Sequence, residues 1–174
     1  LKENILVVNA FSKSYSMTGW RVGYAAGNKK IIDAMAVHQS QFTSNVCSIA
    51  QYAALKAFDD NGAFPKQMTA EFEKRLETVW TAVKAMPGIE LSVKPRGAFY
   101  AFLEVDGTFG KKDGNHVINS GQNFADYLLD KFDVVVVQGE AFGSKSSVRI
   151  SFALNQLALE KGLGRIHEAA TRLS

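Results

Sequence analysis

Two cations in the first part of the chain stand at a spacing that could do chemistry. In "FSKSYSMTGWRVGY", residues 11–24, Lys13 follows the small hydroxyl residue Ser12, and Arg21 comes eight residues later, behind Thr18, Gly19 and Trp20. A lysine amine attacks a carbonyl carbon only when it is unprotonated, a state that desolvation or a neighbouring cation favours. Arg21, in the same loop, is such a cation. An arginine also suits a phosphate, because its planar fork offers paired donors. Gly19 lets the backbone fold tightly around a ligand. The set therefore suits an aldehyde that carries a phosphate: Lys13 would bond covalently to the aldehyde and Arg21 would hold the anionic tail. Taken singly, each residue has a plainer explanation, the lysine as a solvated charge and Trp20 and Tyr24 as packing. The combined spacing is what points to the chemistry.

The elements that must position these residues follow from the surrounding pattern. Residues 5–8, Ile-Leu-Val-Val, form a continuous apolar run of the kind that makes a strand buried on both faces. Few neighbours for such a strand lie nearby, so the chain reads as beginning in the middle of a larger domain. "VGYAAG" at 22–27 is a second short buried strand, and 29–38 and 46–58 read as helices. From Pro65, Met68, Phe72, Leu76, Val79, Val83 and Met86 recur at three- and four-residue spacings, one face of a long amphipathic helix ended by Pro87-Gly88. Beyond it, "IELSV", "GAFYAFLEV", "FDVVVV" and "SSVRISFAL" read as strands, interleaved with helices near 121–131 and 156–172. The stretch "DGTFGKKDGNHVINSG" has no period and reads as an exposed, mobile loop.

Composition narrows the function classes. The chain has 174 residues, 47% of them hydrophobic, enough to bury a real core. A formal charge of +3, with lysines and arginines scattered, gives little support to nucleic-acid binding. The single cysteine, Cys47, cannot form an internal disulfide and reads as a small buried hydrophobe in a helix. No apolar stretch is long enough for a membrane span, and the opening "LKENILVV" lacks the order of a signal peptide, so a cytoplasmic location is expected. His38, His116 and His167 show no metal spacing, and no metal is expected.

"FSKSYSMTGWRVGY" resembles the lysine motif of the class I and II pyridoxal-phosphate-dependent aminotransferases, the aspartate aminotransferase superfamily of fold type I. The likeness continues in order through "QSQFTSNVCSIAQYAAL" at 39–55, "PRGAFYAF" at 95–102, "VVVVQGEAFG" at 134–143 and "SVRISFA" at 147–153. The fold it implies is α/β: residues 1–62 would end the large cofactor domain, and 63–174 would form the connecting helix and a small α+β domain. It implies pyridoxal 5′-phosphate as cofactor, with Lys13 as the covalent and proton-moving residue, and with Arg21 and Ser12 on the phosphate. Arg149 would clamp the substrate α-carboxylate bidentately; judged alone, it would be an arginine snorkelling from a strand end.

The resemblance also implies amino-acid and 2-oxo-acid substrates and a homodimer, with residues 39–45 near the subunit interface. Thr43, Ser44 and Asn45 read equally as an N-cap for the following helix. Three departures stand out: Ala10 replaces the family's serine, Gln138 replaces its proline and should loosen the turn that leads to Phe142, and the family's upstream aspartate is not on the chain. The expected function is amino-group transfer, with the chain as the C-terminal half of the enzyme. A non-catalytic module and a β-eliminating lyase of the same superfamily are the alternatives.

Overall fold

In the computed structural model, residues 2–174 are described, and they divide within one long helix into two compact units, one up to Thr69 and the other from Ala70 to Ser174. The first unit opens with a two-stranded antiparallel ribbon. Strand β1 (Leu6–Ala10) pairs with β2 (Gly23–Gly27), with Leu6 opposite Gly27 and Ala10 opposite Gly23. The short helix α1 (Phe11–Ser14) follows β1 directly. Helix α2 (Lys29–Phe42) starts at Asn28, whose side chain accepts from the Lys30 N–H at 2.9 Å, and runs four residues past the expected end. Helix α3 (Ser48–Asp59) packs Ala50 and Ala54 against Phe11, Met17 and Val22, the core of this unit.

β1 departs from expectation. Its side chains are exposed, Val8 by 69%, whereas the apolar run predicts a strand buried on both faces. The reason is geometric: among the described residues β1 has one strand neighbour, and β2 offers only glycines, alanines and a tyrosine to cover it.

The second unit is built on helix α4 (Ala63–Val83), which enters it from the first. Leu76, Val79 and Val83 are buried, and Phe72 is packed against the same cluster, as the spacing predicts. Met86 is buried too, but it lies in the turn beyond the helix, where its N–H donates to the Val83 carbonyl at 2.9 Å. The core faces a three-stranded antiparallel sheet of order β3-β7-β6, with β3 spanning Tyr100–Glu104, β7 Ser147–Ser151 and β6 Val137–Gln138. Helices α5 (Gly121–Phe132) and α6 (Gln156–Arg172) pack against each other. Their N-caps are supplied by Ser120, which accepts from Asn123 N at 3.1 Å, and Asn155, which accepts from Ala158 N at 2.8 Å.

Three further expectations are corrected. "IELSV" forms no strand; only Glu90 bridges to Glu104. Most of "FDVVVV" lies outside the sheet, because Asp133 turns left-handed to cap α5 (φ 51°) and Val135 is 80% exposed. The segment read as a mobile loop is ordered. Strands β4 (Lys112–Asp113) and β5 (His116–Val117) form a hairpin around Gly114 and Asn115, and Thr108 and Ile118 are fully buried. The backbone of Lys112 also exchanges two hydrogen bonds with Ser174, which ties the hairpin to the end of the chain. Strands this short leave no period to read.

Tyr127 anchors that hairpin from inside the core. Its ring is fully buried, and its hydroxyl donates to Asp113 Oδ2 at 2.9 Å, with the Ala169 carbonyl at 3.3 Å. Burial, and next the Asp113 hydrogen bond, push the phenol well above its ordinary range. For an acid held protonated by the fold, the stabilisation is complete below the unfolded value of about 10 and is lost as pH rises beyond it. Tyr127→Phe should therefore cost about 1 kcal/mol at neutral pH and flatten the alkaline fall in stability. Urea melts at pH 8 and pH 11 check this; an equally steep fall in both proteins would refute it.

Candidate functional site

The loop that carries Lys13 is closed at its base. Ala10 pairs with Gly23 at the end of the β1–β2 ladder, and the Phe11 N–H donates to the Val22 carbonyl at 3.4 Å. Lys13 thus lies two residues inside one end of the neck and Arg21 one residue inside the other. Phe11, Met17 and Val22 turn into the core of the unit, so Lys13, Thr18, Trp20 and Arg21 stay exposed and Ser12 half-buried. The sequence-predicted lysine, serine and first arginine are thereby brought into one loop.

Arg21 has a left-handed backbone, φ 52° and ψ 47°, and its Nη1 donates to the Thr18 carbonyl at 2.9 Å across the 3₁₀ turn Thr18–Trp20. A non-glycine residue in this region is uncommon and strained, and such residues cluster at ligand sites. Charge is arranged to match. Between Glu3 and Asp33 the chain carries no acid, while it carries Lys13, Arg21, Lys29 and Lys30. Among the described residues Arg21 has no carboxylate within ion-pair distance.

An open cavity of about 720 Å³ is lined by Ser16, Gly19, Trp20 and Arg21, together with Gln39 and residues around 43–50. That volume is in the range of roughly 300–1,000 Å³ usual for small-molecule sites. The cavity lining takes in Arg21 but not Ser12 or Lys13. Ser16 and Gln39 are additions that the sequence does not mark as ligand-binding. Thr43, Ser44 and Asn45 do not cap α3. Thr43 ends α2, its N–H donating to the Gln39 carbonyl at 2.9 Å, and Ser44 turns left-handed at φ 60°. Cys47 holds the N-cap position without a side-chain hydrogen bond, and it is exposed rather than buried.

Arg149 belongs to the second unit. Its neighbours along β7, Val148 and Ile150, face the core, as does Phe152 just beyond, so the alternation of the strand sends Arg149 to the other face. There it sits opposite Phe102 of β3 and Val137 of β6. Its Cζ lies 4.3 Å from the ring centroid of Tyr100 and 4.3 Å from that of Phe142. No carboxylate is within ion-pair distance among the described residues.

Phe142 is carried on the 3₁₀ turn Gly139–Phe142, which ends at Gly143 with φ 85°. Gly139 is needed for close approach: a Cβ there would meet the Ser147 carbonyl oxygen at 2.5 Å and that of Ser144 at 2.6 Å. Glu140 tethers the turn, its Oε1 accepting from the Gln122 N–H at 3.3 Å at the start of α5. Gln138 has φ −60° and ψ 143°, the backbone shape that a proline would give the turn. Tyr100 and Phe142 are the residues near Arg149 that sequence reasoning missed. Tyr100 carried a faint signal, being two places from Phe102 and so on the same face of its strand.

Chemically, the first unit offers an amine, a guanidinium and several hydroxyls in a loop without acids, and the second offers a guanidinium with no carboxylate in ion-pair range among the described residues. Among the described residues no group of three or more histidine, cysteine, aspartate or glutamate side chains could hold a metal ion. No helix among them is long and apolar enough to cross a membrane.

Residues 2–166 match the family model described as aminotransferase class I and II. The chain is 42% identical over 174 residues to a probable aspartate/prephenate aminotransferase of Rickettsia prowazekii, covering 99% of the chain and 43% of that protein. It is also 42% identical to an aspartate aminotransferase of Rhizobium meliloti, over 100% of the chain and 42% of the relative. The crystal structure of a Rhizobium meliloti aspartate aminotransferase superposes with a TM-score of 0.92 at 42% identity, covering 100% of the chain and 44% of that structure. An aromatic aminotransferase from Pyrococcus horikoshii superposes at 0.82 with 34% identity, covering 97% of the chain and 43% of its own. The chain thus spans about two fifths of the length of the relatives it matches.

Proposed function

The chain belongs to the class I and II aminotransferases, and from that membership we propose that it carries the covalent lysine and the substrate-carboxylate arginine of a pyridoxal-phosphate-dependent aminotransferase. The reaction is transfer of an amino group between an amino acid and a 2-oxo acid. The observation that carries the reading is the closed, acid-free loop holding Lys13 and Arg21 at the two sides of one neck.

The residues of the loop fit pyridoxal 5′-phosphate. Its phosphate dianion calls for a guanidinium and hydroxyl donors with no carboxylate competing, which Arg21 and Ser12 supply. Its aldehyde calls for an amine, which Lys13 supplies. When bound, the cofactor withdraws electrons from the substrate α-carbon and so makes its hydrogen acidic. Lys13 Nζ takes that proton as a base and returns one to complete the transfer. Arg149 holds the substrate α-carboxylate, which orients the α-hydrogen. The names of the relatives make L-aspartate the first amino acid to assay. By family resemblance the enzyme works as a homodimer, with residues 39–45 near the subunit interface.

Lys13→Ala in the full-length enzyme should abolish the visible absorbance that pyridoxal phosphate gains on bonding to an amine, and should lower turnover of L-aspartate with 2-oxoglutarate by about a thousandfold or more. A retained band would refute the assignment. With a sulfur amino acid that carries a β-leaving group, release of ammonia and pyruvate in the absence of a 2-oxo acid would mark the eliminating alternative. Arg21→Ala should weaken cofactor affinity about 10- to 100-fold, the size of one or two charge-assisted hydrogen bonds. Titration of the apoenzyme with pyridoxal phosphate measures it, and an unchanged affinity would remove Arg21 from the phosphate site.

A further inference from the structure

We propose that Tyr100 and Phe142 are positioning residues for the substrate carboxylate, gripping the Arg149 guanidinium by its flanks so that its N–H edge alone is left for an anion. The proposal deepens the role assigned above to Arg149 and rests on it.

Two rings lie at the same 4.3 Å from Arg149 Cζ, yet among the described residues they make no ring contact with each other. They therefore sit on well-separated sides of the guanidinium. Tyr100 reaches it diagonally across the β3–β7 ladder, since Phe102 is the residue directly opposite Arg149. Phe142 reaches it from the 3₁₀ turn, where its position has two supports. Phe102 meets its ring edge-on, centroids 6.0 Å apart at 87°, and the Glu140 carboxylate ties the turn to the start of α5.

The chemistry of this arrangement differs from that of an ion pair. An arginine on an open sheet face samples many rotamers, and ordering it on binding weakens affinity. A carboxylate partner would order it but would also occupy the fork that the substrate needs. An aromatic face attracts the cation through its quadrupole while accepting none of the five N–H donors in the guanidinium plane. Tyr100 and Phe142 thus hold the group still and leave its donors available. Both rings can be changed without opening the core: Phe142 is 49% exposed, and Tyr100 belongs to the same outward face as Arg149.

The test uses the pyridoxal-phosphate-loaded full-length enzyme with L-aspartate. Tyr100→Leu and Phe142→Leu should each raise KM about tenfold with kcat nearly unchanged, because the interaction lost serves ground and transition states alike. Tyr100→Phe and Phe142→Tyr, which keep the rings, should restore KM. An independent reading is the NMR signal of the Arg149 Nε–H proton, which the two rings should displace from its position in an unstructured peptide, and which should return towards it in the leucine variants. If Arg149→Lys raises KM but neither leucine variant does, the rings have no positioning role and the proposal falls alone. If Arg149→Lys leaves KM unchanged, the carboxylate reading itself falls, and the proposal with it. An undisplaced Nε–H signal in the unaltered protein overturns the proposal without any variant.

Discussion

Both candidate sites depend on guanidinium groups kept apart from carboxylates. Some other cations of the chain do pair with carboxylates, as Lys29 with Asp33, Lys74 with Glu71 and Arg172 with Glu168. Arg21 and Arg149 have no such partner among the described residues. A carboxylate beside either would fill the paired donors that make arginine suited to phosphate or carboxylate ligands. Each arginine is instead steadied by a group that leaves its fork largely open. For Arg21 this is one backbone carbonyl, Thr18, and for Arg149 it is two aromatic rings.

The same separation is visible in the backbone. The Lys13 loop and the turn that carries Phe142 both have their ends pinned by regular structure. The Lys13 loop is pinned where the β1–β2 ladder ends, and three of its apolar residues are sunk in the core. The turn carrying Phe142 is pinned by Gly139, pressed against the Ser147 and Ser144 carbonyls, and by Glu140 on α5. A left-handed arginine and a glycine with no room for a methyl group are local costs that the flanking ladder and helix sustain.

What the sequence revealed follows from the reach of each signal. Helices were legible because their period persists over many residues: Phe72, Leu76, Val79 and Val83 face the core as their spacing predicts. Lys13, Ser12 and Arg21 were legible as a unit because they are close in sequence and one loop contains them. The hairpin at 112–117 was hidden because two-residue strands have no period, and the burial of Thr108 and Ile118 follows from tertiary packing alone. The flanking of Arg149 was hidden for another reason. Tyr100 and Phe142 are far apart in the chain, and only the pairing of β3 with β7 and the folding back of the 3₁₀ turn bring them to one guanidinium. The exposure of β1 shows the limit of composition: an apolar run states what a strand could bury, not what is present to cover it.

The orientation of Arg149 is set by its apolar neighbours more than by its own contacts. Val148, Ile150 and Phe152 are at most 7% exposed, so the pleat sends residue 149 to the opposite face whatever its identity. A slip of β7 by one residue would turn those three outward and drive the guanidinium into the cluster around Leu103 and Val105. Burying an unpaired charge there would cost several kcal/mol even after relaxation, on top of roughly 1.5–3 kcal/mol for each large apolar side chain lost to water. Two strong penalties thus exclude the slipped register, while cation–π contacts worth about 1–2 kcal/mol select among rotamers within the correct one. The core therefore decides which face presents the arginine, and Tyr100 and Phe142 decide where on that face its donors point.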